Sequence, residues 1–170
     1  AGTAPSFYRY YITDTITLKD TRCIRLFFEP RNPSDFLFHG DLYVTLDSTY
    51  AVRSIDIGIN KNINIDWVQG ISVKQDFDNS GRNFWLLSRE DISIDVGLVK
   101  NAPGLYVQRT VSYKDYVVNE APADSIFAGP VVSEITDPSE GNPEFWEARR
   151  HVPLTRTERN LYLAADNLKK

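Results

Sequence analysis

The chain has 170 residues, 42% hydrophobic and 25% charged, with a net charge of −4. That length suits one domain, or one domain with an appendage, which can bury about 70% of its unfolded surface without disulfide or metal staples. Residues 1–141 carry a net −6 and residues 142–170 a net +2, so the main body lacks the basic surface that nucleic-acid binding rests on, and no apolar run approaches the ~20 residues of a membrane span.

The first expected strand is FYRYYITDTIT (7–17), rich in aromatic and β-branched residues and broken by Lys19-Asp20. The second, RCIRLFFEP (22–30), closes at Pro30. It contains the single cysteine, Cys23, which reads as a small buried hydrophobe and says nothing of redox compartment.

Residues 38–59, FHGDLYVTLDSTYAVRSIDIGI, give the third and fourth strands. Phe36, Phe38, Gly40, Leu42, Val44 and Leu46 fall on one parity and Leu37, His39, Asp41, Tyr43, Thr45 and Asp47 on the other. Alternate side chains point to opposite faces, so one face is apolar and the other largely polar. Asp47-Ser48-Thr49 suits a tight hairpin, because such side chains bond their own backbone. Ile55, Ile57 and Ile59 line one face of the returning strand, whereas Val52 has the opposite parity. A bulge or register change near Arg53 reconciles the two.

WVQGISVKQDFD (67–78), FWLLSREDISIDVGL (84–98) and LYVQRTVSYKDYVV (105–118) complete a set of seven strands. Short strands joined by short turns, with no helices between them, predict a mainly β fold. It is a strongly twisted antiparallel meander forming a partial, unclosed barrel, with helices only at the C-terminal end. The expected organisation is a sheet domain over 1–118, an irregular linker or strap over 119–141 and a helical segment over 142–170. Asn142-Pro143-Glu144 reads as one helix start, and Thr155-x-x-Glu158 as a capping box before a final helix. Leu154, Leu161, Ala165 and Leu168 line one face of that helix.

Chemistry-bearing motifs are weak. Asp76-x-Asp78-x-Ser80-Gly81 matches the first half of a calcium loop, but Leu87 stands where a closing Glu is required. No metal or cofactor is expected. The two histidines, His39 and His151, lack partners at ligand spacing, and Glu90 and Asp91 are adjacent on a strand and so face opposite ways. A hydrolase using His39 and Asp41 is the least supported reading, and a non-catalytic role is expected. Tyr8, Tyr10, Trp67, Trp85 and Tyr106 serve either as core and rim or as a glycan-binding surface. The candidate ligand-binding residues are Phe38, Leu42, Val44, Leu46, Ile55 and Ile57, an apolar face suited to a hydrophobic ligand.

The runs YRYYITDTITLKDTRCIRLFFEPR, FHGDLYVTLDSTYAVRSIDIGI and NINIDWVQGISVKQDFDNSGRNFWLLSREDISIDV resemble an uncharacterised domain of Bacteroidota surface proteins, and FWEARRHVPLTRTERNLYLAADNL resembles its later segment. In those proteins the domain lies between a carboxypeptidase-regulatory-like β-sandwich and an outer-membrane β-barrel. The resemblance implies a sheet that is part of a larger domain, on the periplasmic side of the outer membrane, with those two domains as partners. The hairpin pattern of Phe38, Gly40, Leu42, Val44, Asp47 and Tyr50 is also similar to the outer-membrane lipoprotein carriers, unclosed barrels whose concave apolar face holds acyl chains. That similarity implies a binding or scaffolding module cradling a lipid or lipoprotein segment.

Overall fold

The computed structural model describes residues 3–60, 65, 67–81, 84–97, 104–129, 147 and 150–168. They form two compact units, residues 1–116 and 117–170. The first opens with one helical turn, α1 (Ala4–Phe7), followed by seven strands: β1 (Tyr8–Leu18), β2 (Thr21–Pro30), β3 (Phe38–Thr45), β4 (Val52–Ile59), β5 (Val68–Asn79), β6 (Trp85–Val96) and β7 (Leu105–Ser112). Each strand pairs antiparallel with the next in a single sheet of order β1 to β7, and first and last strands do not meet. The expected meander, not closed into a barrel, is the observed fold.

The turns follow from their residues. Lys19 and Asp20 both take positive φ (43° and 67°), which makes a two-residue connection whose twist matches the strands it joins. At the β3–β4 turn the Asp47 carboxylate accepts from the Thr49 backbone N–H at 2.9 Å and from the Thr45 hydroxyl at 2.7 Å. The Thr49 and Thr45 hydroxyls hold the Asp47 carboxyl below its ordinary value of 3.8. A carboxyl with a depressed folded-state pKa contributes stability above its unfolded value, and that contribution disappears as pH falls through the depressed one. Asp47→Ala is therefore expected to lower the melting temperature at neutral pH, with the gap to the parent chain closing below about pH 4. A gap independent of pH would show that the charge plays no part.

Between Tyr43 and Val44 the β3–β4 register shifts, so that Ser54 pairs with Tyr43 and Val52 with Val44. Arg53 is the extra residue, at the position where the parities conflict. β7 ends at Ser112, six residues before the expected Val118. The Tyr113 N–H still donates to the Ser88 carbonyl at 2.9 Å, but Asp115 takes φ 57° and the Tyr116 hydroxyl donates to the Leu87 carbonyl at 2.6 Å. The chain turns off the ladder there, and a side chain takes the acceptor.

In the second unit, residues 119–129 are irregular apart from a 3₁₀ turn at Asp124–Ile126. The helix start expected at Asn142 lies outside the described residues. α2 (Arg156–Leu168) begins at the predicted capping box. Glu158 accepts from the Thr155 N–H at 2.7 Å, and the Glu158 N–H donates back to the Thr155 hydroxyl at 3.3 Å. Leu161, Tyr162 and Leu163 on this helix are exposed.

Candidate binding face

Directly paired residues of an antiparallel sheet project to the same side, so the register sorts the side chains into two faces. One face is apolar. A row crosses all seven strands through Tyr10, Phe28, Gly40, Ile57, Val73, Ile92 and Arg109. Beside it run Ile12, Leu26, Leu42 and Ile55, continued by Gln75 and Glu90, whose side chains bond each other at 2.7 Å. Ile24, Val44 and Val52 form a third row on one flank, with Phe38 and Ile59 and then Ile71, Ile94 and Val107 on the other.

Five of the six candidate residues, Phe38, Leu42, Val44, Ile55 and Ile57, therefore lie together in the middle of this face. Leu46 lies one residue past the end of β3. Its N–H still reaches the Arg22 carbonyl at 2.9 Å, but its side chain is 44% exposed. Among the described residues only Cys23 and Ile59 are buried hydrophobics, while Tyr10, Ile12, Phe38, Leu105 and Val107 on the apolar face are 37–71% exposed. A one-layer sheet cannot cover both of its own faces.

The opposite face is polar. The row Tyr11, Phe27, Asp41, Asp56, Lys74, Asp91, Thr110 is charged from β3 onward. Asp41 and Asp56 stand directly opposite each other, a repulsive placement relieved from both sides. Arg25 grips both Asp41 oxygens at 2.8 Å, and Lys74 lies 3.6 Å from Asp56. Arg89 donates to both Asp91 oxygens, and the Thr110 hydroxyl adds a bond of 2.6 Å. The Arg89 bond first, then Thr110, holds the Asp91 carboxyl low against the opposing effect of its burial.

His39 shares this face with Asp41, but both carboxylate oxygens of Asp41 are engaged by Arg25, and the buried His39 Nδ1 has no hydrogen-bond partner among the described residues. Of the residues resembling half a calcium loop, Asp76 accepts from Ser54 at 2.7 Å, Asp78 pairs with Arg53, and the Asn79 side chain accepts from the Gly81 N–H at 2.9 Å. No cluster of three His, Cys, Asp or Glu side chains suited to a metal occurs among the described residues.

The best-buried charged group among the described residues lies where three hairpin ends converge, and sequence reasoning missed it. Arg53, 3% exposed, pairs with Asp78 at 3.0 Å, donates to the Phe77 carbonyl and places its guanidinium 5.9 Å from the Trp85 ring centre. Lys19 from the β1–β2 turn reaches Asp78 at 3.6 Å. Thr45 and Cys23, both 0% exposed, and Ser54 at 4% lie at the same end of the strands. The one signal was the parity break at Arg53, since an arginine in a strand otherwise reads as surface.

The aromatics cluster without forming a flat platform. Tyr8 and Tyr10 lie 6.2 Å apart at 44°, Tyr8 meets Phe28 edge-on at 67°, and Tyr10 stacks on Phe28 at 29°. Trp67 and Tyr106 are exposed, and Trp85 is held against Arg53.

Residues 1–116 match the model of a family of unknown function, DUF5686. No curated protein and no solved structure matches the chain. Among the described residues no helix is long and apolar enough to cross a membrane, which says nothing of β-barrels. The chain belongs to the DUF5686 family.

Proposed function

We propose that this member of the DUF5686 family is a non-catalytic binding or scaffolding module that cradles a lipid or a lipoprotein segment on the apolar face of its sheet. The observation that carries this reading is the segregation of the two faces. Apolar rows centred on Leu42, Ile55 and Ile57 back onto a charged row, and members of the apolar face from β1 to β7 stay open to water. Apolar surface left in water costs roughly 25 cal/mol per Å², so a face of this breadth favours an apolar occupant. The placement we propose is the periplasmic side of the outer membrane, beside the protein's own β-sandwich and β-barrel. It rests on the resemblance of the sheet segments to the Bacteroidota surface proteins described above.

A fluorescent fatty acid titrated into the purified chain tests the reading. Saturable emission enhancement is expected, lost in Tyr10→Asp and Leu42→Asp. Tyr10 is 43% exposed, so its replacement separates a loss of binding from a loss of fold. If the folded parent chain gives no saturable signal, the reading fails. Glycans are the alternative ligand, and a saturable change in tryptophan emission on oligosaccharide titration, with none on fatty-acid titration, would favour them.

A further inference from the structure

We propose that the outer edge of β7 is a docking edge for an extended peptide strand of another protein, one with alternating apolar residues and a carboxylate side chain at its centre. This goes beyond the lipid-binding reading and does not rest on it.

Among the described residues β7 is the last strand of the sheet and pairs only with β6. An edge strand presents unpaired backbone donors and acceptors, and proteins usually blunt such edges with bulges, lysines or prolines. The opposite edge is blunted in this way: the register of β1 on β2 shifts between Ile12 and Asp14. β7 lacks a bulge, Pro and Lys, and the only charge it carries is Arg109. It pairs with β6 without a register shift and is exposed from Leu105 through Thr110.

Its single charge identifies the partner. Arg109 stands on the apolar face, directly opposite Ile92 and flanked along the strand by Val107 and Val111. Among the described residues it makes no ion pair or hydrogen bond. The carboxylate diagonal to it, Glu90, accepts from Gln75 instead. An arriving strand with a carboxylate opposite Arg109 would gain an opposite-charge cross-strand pair, with apolar side chains two residues to either side meeting Val107 and Val111. A second copy pairing β7 with β7 about a two-fold axis would bring two Arg109 side chains onto the same face. The lone cation therefore discriminates against self-pairing and in favour of an acidic strand.

Fluorescence anisotropy with the full chain tests this, using a labelled peptide of alternating Val and Thr with one central Glu against the same peptide with Lys. The Glu peptide is expected to bind about fivefold more tightly at low salt, with the difference closing as salt is raised. Arg109→Glu is expected to reverse the preference while the circular dichroism is unchanged, and N-methylation of alternate peptide nitrogens is expected to abolish binding. Failure of both peptides to bind would overturn the proposal, as would equal binding of both to the parent chain and to Arg109→Glu. Self-association of Arg109→Val without peptide binding by the parent chain would also overturn it, leaving Arg109 as a guard against self-pairing alone. None of these outcomes alters fatty-acid binding on the sheet face.

Discussion

Gly40→Ala is expected to be among the most damaging single substitutions in the sheet domain. Gly40 takes φ +146° in the middle of β3, a region that side-chain-bearing residues rarely enter. A Cβ there would lie 2.2 Å from the Asp56 carbonyl oxygen and 2.8 Å from the Ile57 Cα. Both are backbone atoms of the paired strand, so no rotamer change relieves the clash, and β3 must separate from β4 locally. Backbone strain and overpacking each cost about 1–3 kcal/mol, so a loss of about 3 kcal/mol or more is expected. Denaturant titration checks it. A variant within about 0.5 kcal/mol of the parent, the range of ordinary surface changes, would mean that the close approach of β3 to β4 is not required.

Arg53 carries the second large expectation. Its replacement by Ala removes an ion pair, a bond to the Phe77 carbonyl and the stacking surface of Trp85 together. Asp78 is half exposed and can return to water, so the loss falls mainly on the Phe77 carbonyl and on the space beside the ring. A destabilisation of about 3 kcal/mol is expected. Asp78→Asn, which leaves a guanidinium at 4% exposure with its charge partner gone, is expected to cost about 2 kcal/mol, the exposure of that partner moderating the penalty of an unpaired buried charge. Double substitution separates the contributions. If the two losses add without coupling, the pair does not act as a unit.

Much of this molecule is written locally, because antiparallel meanders are built from neighbours. Period-two alternation in FHGDLYVT and SIDIGI fixes which side chains share a face, and once adjacent strands pair, the faces of all seven are determined. The Asp47 hairpin and the Thr155–Glu158 capping box are likewise legible, since their bonds close within a few residues. The conflict between Val52 and the isoleucines, too, pointed to the bulge at Arg53.

Other features depend on groups distant in the chain. The end of β7 is not legible locally, because Tyr113–Val118 keeps a strand-like composition while Asp115 and the reach of Tyr116 to the Leu87 carbonyl end the ladder. That Arg53 is buried depends on Asp78, Phe77 and Trp85, more than twenty residues further along. Gly40 reads as one member of an apolar row, and only the paired β4 backbone makes its missing side chain necessary. Arg109 reads as an ordinary surface charge until the register sets it opposite Ile92. Alternation within a strand needs only the pleat, whereas burial, close approach and an uncompensated charge are properties of what the strand is placed against.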